Sequence, residues 1–293
     1  MFFQNNSKIT ADHNSQISAI FTQYNIKPKP TTAHNNTPVR LLFSQPKMHD
    51  TFYNGSNLWL LKPTEYNRGR GINLFNKLSS LEYYLKCFLV GDNVNRYKTM
   101  STTGRKFRDQ ALNLVQSHKF VLQKYVEKPM LIDGRKFDIR VWAMIDHNMN
   151  LYYFKEGYIR LSSEPFSLNE DQIEDIYVHL TNNAIQKDGK NYGKHESGNI
   201  ISLQQLKDYL PKERAKSEYL KIIDKIKDQI KTSMKSVREK LNAKDRKYCF
   251  EIFGYDFIID ANYNVWLIEV NCNPCIEESN DLLKRLVPRM LGN

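Results

Sequence analysis

The sequence of 293 residues predicts an α/β protein, because strand-like and helix-like hydrophobic patterns are mixed along the chain. Residues 253–260 and 265–270 are rich in β-formers and flank a polar turn, which is typical of a β-hairpin. Residues 135–145 alternate between two faces, which indicates a further strand. Residues 215–242 place apolar side chains at steps of three and four, as in a long amphipathic helix.

Composition narrows the class of partner. Hydrophobic residues make up 41% and aromatic residues 12% of the chain, which fits a globular protein. The formal net charge of +11 predicts an acidic partner such as nucleic acid, an anionic membrane, a nucleotide or an acidic polypeptide. No apolar run approaches the ~20 residues of a membrane span, and the first residues lack the apolar core of a secretory signal. We therefore expect a cytoplasmic protein with four thiols and no disulfide framework.

The first part of the chain differs in composition from the rest. Residues 1–47 are rich in Asn, Thr, Gln and Ser and show little sustained periodicity, which predicts a low-complexity, poorly ordered leader. A strand is predicted at residues 58–61, and a basic loop with two glycines follows at residues 64–72. Glycines let backbone N–H groups approach an anion, although an ordinary basic turn explains the same residues equally well. Residues 78–90 predict a helix and residues 120–126 a strand.

The predicted strand at residues 135–145 carries Lys136, Asp138 and Arg140 on one face. Its apolar continuation indicates a mostly buried strand, which favours a phosphate or substrate platform over a water-facing surface. The next strand, residues 151–161, contains Arg160 among aromatic residues, where an arginine either belongs to a site or extends to the solvent. Residues 179–183, His-Leu-Thr-Asn-Asn, follow an apolar-leaning segment that is predicted to be a strand, and they are expected either to reach a ligand or to cap a turn.

The predicted hairpin holds a candidate metal site. If Asp260 pairs with Val265, Asp256 lies opposite Glu269, and Asn271 shares the face of Glu269. Carboxylates that converge in an apolar hairpin repel one another unless a cation lies between them. An all-oxygen set is what Mg²⁺ prefers, so we predict a magnesium site; a solvated strand face is the alternative.

Seven collinear motifs together resemble the tubulin–tyrosine ligase-like family, over roughly residues 46–276. They are WLLKP (59–63), RGRGI (68–72), QKYVEKP (123–129), GRKFDIR (134–140), HLTNN (179–183), FGYDF (253–257) and WLIEVN-x-NP (266–274). The resemblance implies an ATP-grasp fold, in which two subdomains sandwich the nucleotide. Residues 190–199 look closer to tubulin–tyrosine ligase itself, whereas the glycine loop looks closer to the glutamylating or glycylating relatives, so tyrosine, glutamate and glycine stay open as the added amino acid.

The resemblance also implies residue roles and the cofactors ATP and Mg²⁺. Asp256, Glu269 and Asn271 would bind Mg²⁺, while Arg140 and Arg160, the implied catalytic residues, would meet the γ-phosphate, the acyl phosphate or the carboxylate of the incoming amino acid. The implied nucleotide-binding residues are Lys62, Arg68, Gly69, Arg70, Gly71, Gln123, Lys124, Tyr125, Val126, Lys136, Asp138, Thr181 and Asn182.

The resemblance further implies a domain plan. Residues 48–130 would form the central ATP-grasp subdomain with the glycine loop. Residues 131–293 would form the C-terminal subdomain with the magnesium site and the long basic helix. The usual N-terminal domain of the family is expected to be largely absent.

The implied function is that of an ATP-dependent carboxylate–amine ligase, which adds a free amino acid to a glutamate of the acidic C-terminal tail of tubulin through an acyl phosphate. The expected location is then the cytoplasm and the cytoskeleton, with a cilium left open. The alternative is a catalytically incomplete member or fragment that binds tubulin or microtubules. Charge alone would also fit a nucleic-acid-binding protein, but no nucleic-acid motif is present, so neither nucleic acid nor a membrane is expected as a partner. A protein kinase is not indicated, because the H-R-D and D-F-G signatures are missing.

Overall fold

The computed structural model describes residues 50–52, 54–64, 66, 68–90 and 119–292. The described residues divide into two compact units, one ending at Glu127 and the other beginning at Lys128. The predicted subdomain boundary after residue 130 lies three residues beyond this division. The predicted leader, residues 1–47, lies outside the described residues, and the assignment of the two units as ATP-grasp subdomains stays a prediction.

The first unit is a small antiparallel sheet covered by one helix. Its strands are β1 (Trp59–Pro63), β2 (Asn73–Phe75) and β3 (Phe120–Lys124), in the order β2-β1-β3, and a short 3₁₀ helix, Asp50–Phe52, comes before them. Helix α1 (Leu78–Val90) follows β2. It buries Leu81, Leu85 and Phe88, which recur at steps of four and three and pack against Leu61 and Phe75 of the sheet. The predicted helix at residues 78–90 is confirmed.

A buried carboxylate holds the chain that enters this sheet. Glu127 accepts hydrogen bonds from the backbone N–H groups of Asn54 (2.6 Å), Ser56 (3.3 Å) and Leu58 (2.7 Å). It also forms a buried ion pair with the Lys124 ammonium, which donates to the carbonyl of Leu58 as well. Burial lowers the pKa of Lys124, and the hydrogen bond and charge of Glu127 oppose that shift. Each charge of this buried ion pair is therefore compensated by the other.

We expect Glu127→Gln to lower the free energy of unfolding by about 3 kcal/mol, because the buried Lys124 ammonium loses its counter-charge. Urea unfolding at neutral pH measures the effect. Lys124→Gln combined with Glu127→Gln should recover part of the loss, since no unpaired charge then stays buried. A single variant as stable as the wild type would show that the ion pair contributes nothing.

The second unit is built on a larger antiparallel sheet in the order β7-β6-β5-β8-β9, with β4 paired to β5. Its strands are β4 (Leu131–Ile132), β5 (Arg135–Asp146), β6 (Leu151–Leu161), β7 (Ile200–Ser202), β8 (Phe250–Ile259) and β9 (Val265–Asn271). Its helices are α2 (Ile176–His179), α3 (Asn183–Gln186), α4 (Ala215–Val237) and α5 (Asp281–Gly292), with 3₁₀ turns at Ser197–Asn199, Leu203–Tyr209 and Lys212–Arg214. The mixed α/β class is confirmed.

The two faces of this sheet have different covers. Phe137, Ile139 and Val141 of β5 face the main core, to which α4 contributes Ile222, Ile223, Ile226, Ile230 and Met234. On the other face, Trp142 packs with Tyr158 and with Leu283 and Leu286 of α5. The predicted alternation of β5 is therefore present, and both faces of the strand are buried. No helix among the described residues is long and apolar enough to cross a membrane.

Three predicted details differ from the structure. Helix α4 ends at Val237 rather than at residue 242, because the chain forms a turn around Asn242, which has a positive φ of 49°. The Asn242 Nδ2 donates to the Arg246 carbonyl, and its Oδ1 accepts from the Arg246 N–H. Leu241 still packs against the main core, which explains why the apolar period continues beyond the helix. The residues before the HLTNN motif are helical rather than a strand, and α5 was not predicted.

Candidate active site

The β8–β9 hairpin places Asp256 directly opposite Glu269, as predicted. The reason differs from the predicted one, because Ile259 rather than Asp260 pairs with Val265. A β-bulge at Ile268 then restores the register before it reaches Asp256. Asp260 instead accepts hydrogen bonds from residues of the turn, including the N–H groups of Asn262 and Asn264. The turn is therefore one residue longer than the sequence suggested.

Neighbouring strands bring two arginines to Asp256. Arg140 lies opposite it on β5 and forms a bidentate ion pair, with Nη2 2.9 Å from Oδ2. Arg160 of β6 contacts the same Oδ2 at 2.9 Å and pairs with its own cross-strand neighbour Asp138. All four side chains are buried. Because they occupy one face of three adjacent strands, the structure brings the predicted residues Asp138, Arg140, Arg160 and Asp256 into a single ionic cluster.

Asp256 and the two arginines stabilise one another's charged forms. Burial alone would raise the pKa of Asp256, but the guanidinium groups of Arg160 and Arg140 outweigh it and hold that pKa far below its usual value. Burial would lower the pKa of Arg160, but Asp138 and Asp256 raise it well above its usual value. The ion pairs of the two arginines with Asp256 and Asp138 thus hold all four side chains in position inside the sheet.

Glu269 and Asn271 extend this cluster towards the solvent. Glu269 is exposed, and the Asn271 Nδ2 lies 3.2 Å from Glu269 Oε1 and 3.5 Å from Asp256 Oδ2. The donor set is all oxygen if the Asn271 amide turns its Oδ1 towards a cation, and this chemistry fits Mg²⁺. The described residues contain no cluster of three His, Cys, Asp or Glu side chains that could hold a metal by themselves. The candidate site therefore depends on Asn271 and on ligand or water oxygens.

A glycine allows the cluster to form. A Cβ at Gly254 would lie 2.7 Å from Cβ of Pro274 and 3.2 Å from Nη1 of Arg140. Only a hydrogen fits between the proline of the NPC segment and the guanidinium group. This close approach gives a physical reason for the glycine of the FGYDF motif.

The HLTNN motif lies beside β5. Lys136 Nζ donates to the His179 carbonyl at 2.9 Å, so this predicted phosphate ligand is held by the motif. Thr181 is buried, and Asn182 is half-buried at the start of α3. His179 closes α2, and its Nε2 donates to the carbonyl of Gln172. The structure thus brings Lys136, Thr181 and Asn182 to one region of the second unit.

His179 predicts a pH dependence of stability. Burial, together with the charge of Lys136, lowers its pKa from 6.5 to about 4. Its neutral form therefore stabilises the fold above pH 6.5, and this contribution is lost as the pH falls from 6.5 through 4, because the unfolded chain binds the proton first. We expect the wild type to lose about 3 kcal/mol more than His179→Gln between pH 7 and pH 4. Urea unfolding at both pH values measures this difference, and equal losses would contradict the prediction.

The first unit holds the other predicted nucleotide ligands. Arg68, Gly69 and Gly71 all have positive φ, and Arg68 and Arg70 are exposed in the turn. Gly71 also has a packing role, since its Cβ would lie 3.0 Å from Cγ of Pro63. The geometry of this turn is therefore compatible with a loop that binds an anion and also with an ordinary basic turn.

The remaining predicted nucleotide-binding residues of the first unit lie on β1 and β3 or directly after β3. Lys62 of β1 pairs with Val121, and Gln123 of β3 pairs with Leu60. Lys124, Tyr125 and Val126 are buried. The Lys124 side chain contacts Glu127, and the Tyr125 N–H donates to the Leu58 carbonyl, so both groups support the fold of the first unit.

Two sets of contacts near the predicted site residues of the second unit were not predicted from the sequence. Arg135, the first residue of β5 and the neighbour of Lys136, forms a bidentate ion pair with Glu196, at 2.7 and 2.8 Å. Gln186 accepts from the Ser163 N–H and donates to the Leu180 carbonyl, which fixes the loop around Thr181. These partners are far apart in the chain, and no local pattern marks them. The Glu127–Lys124 ion pair of the first unit has one local signal in the sequence, the spacing of three residues between the two side chains.

Comparison with known proteins gives a consistent result. A sequence model of the Tubulin-tyrosine ligase family matches residues 3–293. Over 238 residues the chain is 34% identical to Tubulin glycylase 3B of Tetrahymena thermophila, covering 80% of this chain and 18% of the relative. Tubulin glycylase 3D of the same organism is 33% identical over 241 residues, covering 80% and 20%. Probable alpha-tubulin polyglutamylase Ttll1 of Tetrahymena thermophila is 30% identical over 242 residues, covering 82% of this chain and 54% of the relative.

The chain thus spans about a fifth of the length of these glycylases and about half of the polyglutamylase. The family match covers nearly all 293 residues and confirms the resemblance drawn from the seven motifs. The mixed α/β structure with antiparallel sheets agrees with the ATP-grasp fold of that family. The chain belongs to the tubulin-tyrosine ligase family.

Proposed function

We propose that this chain is the catalytic part of an ATP-dependent ligase that joins an amino acid to a glutamate carboxylate of a tubulin tail. The observation that carries the proposal is the buried cluster of Asp138, Arg140, Arg160 and Asp256 beside the exposed Glu269. Such a cluster offers positive groups to a phosphoryl and carboxylate oxygens to a cation. The relatives described above carry the names tubulin glycylase and alpha-tubulin polyglutamylase, so glycine and glutamate are favoured over tyrosine as the donor.

The proposed reaction has two steps. A glutamate carboxylate is a poor electrophile, so its oxygen first attacks the γ-phosphorus of ATP, and ADP leaves. The amine of the amino acid then attacks the acyl carbon, phosphate leaves with the electron pair of the broken bond, and the nitrogen loses a proton. The products are an amide, ADP and phosphate.

The residues of the second unit have complementary roles in this proposal. Arg140 and Arg160 are held in position by Asp256 and Asp138, so their remaining N–H groups meet the transferring phosphoryl or the donor's carboxylate with little reorganisation. Lys136, Thr181 and Asn182 bind the nucleotide. Asp256, Glu269 and Asn271 would hold Mg²⁺, which neutralises charge on the phosphate oxygens when it is bound.

The first unit contributes further nucleotide ligands in the same proposal. Lys62 and the turn from Arg68 to Gly71 bind phosphate groups. Residues 123–126 bind the adenine through backbone groups, because the Lys124 side chain already pairs with Glu127. Tubulin as the acceptor places the protein at the cytoskeleton.

A second function is favoured by one observation. The chain spans only 18% and 20% of the two glycylases, so it can also correspond to a part that binds ATP and tubulin without turnover. This alternative predicts nucleotide binding and tubulin binding but no amide formation.

Incorporation of labelled glycine, glutamate and tyrosine into purified tubulin, in parallel and with Mg·ATP, tests the proposal. We expect glycine or glutamate to be incorporated, with ADP formed in equal amount, and no incorporation when a non-hydrolysable ATP analogue replaces ATP. Absence of incorporation of all three, with nucleotide binding retained, would favour the binding-only alternative. Incorporation of tyrosine alone would overturn the donor assignment.

A further inference from the structure

A small apolar groove lies between the start of β6 and helix α4. Its walls are Leu151, Tyr153 and Ile230, its rim is formed by Lys227 and Lys231, and its volume is about 300 Å³. Lys227 Nζ lies 5.7 Å from the centre of the Tyr153 ring, a cation–π contact that keeps this ammonium at the groove. The groove combines space for one apolar side chain with two positive charges.

The groove belongs to the opposite side of the sheet from the ionic cluster. Leu151, Tyr153 and Ile230 pack with the main core under α4. Arg140 and Arg160 alternate along β5 and β6 with residues of that core and share their face with Trp142 and Tyr158, which pack under α5. The groove is therefore separate from the proposed catalytic residues.

Much of the protein's positive charge lies in the segment that contains helix α4. Residues 212–247 contain thirteen lysines and arginines and six aspartates and glutamates, a net charge of +7 out of +11 for the whole chain. Lys227, Lys231 and Lys235 follow one another at four-residue steps, so they form one exposed row along α4. Asp224 and Asp228 are the acidic residues of this part of the helix, and Asp224 lies 3.9 Å from Lys227. The row is positive in net charge even with both of them.

We propose that this groove and the lysine row bind a glutamate-rich tail of the tubulin acceptor, with one apolar side chain of the tail in the groove. The inference rests on the proposed function for the identity of the acceptor. Charge complementarity selects an acidic partner, and an apolar socket of this size suits a peptide side chain. A second copy of this chain carries the same positive charge and would be repelled.

Binding at this position anchors the enzyme to its polymeric substrate without touching the reacting carboxylate. It lowers the concentration of tubulin needed for half-maximal rate and leaves the rate at saturation unchanged, because ground state and transition state gain equally. The salt dependence of binding should be strong, since the lysines are exposed.

The test uses the double variant Lys227→Glu, Lys231→Glu and a control of the same net charge, Lys284→Glu, Arg285→Glu, whose two residues are exposed on α5, the helix that covers the other face of the sheet. Binding to microtubules is measured by co-sedimentation, with intact microtubules and with microtubules whose acidic tails have been removed by subtilisin. Binding of a fluorescent ATP analogue shows that each variant is folded. We expect the groove variant to bind intact microtubules about tenfold more weakly, and the control to bind about as the wild type does.

Each outcome bears on the proposal by itself. Equal weakening in both double variants would mean that net charge alone attracts tubulin, and this would overturn the proposed site. Wild-type binding of the groove variant, undiminished binding to tail-free microtubules, or tighter binding to RNA than to tubulin would overturn it as well. Leu151→Ser, which keeps every charge, should also weaken binding. Because binding is measured without turnover, a failed incorporation assay leaves this test intact.

Discussion

Replacement of Asp256 by asparagine is expected to lower the free energy of unfolding by about 3–5 kcal/mol and to abolish ligation. The asparagine keeps the shape of the side chain but removes the charge that Arg140 and Arg160 share. Both guanidinium groups stay buried in the sheet with Asp138 as the one remaining carboxylate of the cluster. An uncompensated buried charge costs far more than a lost surface ion pair.

Urea unfolding at neutral pH measures this loss. Asp245→Asn is the matched control, because Asp245 also pairs with a basic residue, Lys247 at 3.0 Å, but is exposed. We expect the control to change stability by less than about 1 kcal/mol. If Asp256→Asn were as stable as the control, the cluster would not be held together by its charges.

The variant Glu269→Gln separates chemistry from folding. Glu269 is exposed, and glutamine is isosteric with it, so we expect the fold and its stability to be retained. The loss of one anionic oxygen ligand should weaken Mg²⁺ binding and lower the rate of ligation by at least about 100-fold. Amino-acid incorporation as a function of Mg²⁺ concentration measures both effects.

Glu251→Gln provides the control for this experiment. Glu251 is exposed on the same hairpin, opposite Ile145 of β5, and takes no part in the ionic cluster. Its substitution should leave the rate unchanged. Activity of Glu269→Gln equal to that of the control would remove Glu269 from the metal site and from the catalytic proposal.

Local patterns were sufficient for most of the secondary structure. The alternation of β5 and the apolar steps of α1 and α4 follow directly from the burial of one face of a strand or helix. The end of α4 was predicted too late, because the turn around Asn242 depends on hydrogen bonds to Arg246 and keeps Leu241 in the core. The hydrophobic period identifies Leu241 as a buried residue, but it does not show that the backbone leaves the helical conformation before that residue.

The candidate site was predicted only in part from local reasoning. The pairing of Asp256 with Glu269 was found because both residues belong to one hairpin, although a bulge corrected an error of one residue in the expected turn. The ion pair of Asp256 with Arg140 joins positions 116 residues apart and has no local signal. The sequence places Asp256 and Arg140 in two separate motifs, and only the order of strands in the sheet brings the two side chains together.

The narrow space at Gly254 gives a way to interpret other sequences. A methyl group at this position would collide with Pro274 or displace the Arg140 guanidinium. A related chain that carries alanine or a larger residue there has therefore lost the geometry of the cluster, even if every charged residue is still present. If the proposed function holds, this single position is expected to distinguish active ligases from inactive descendants whose charged motifs look alike.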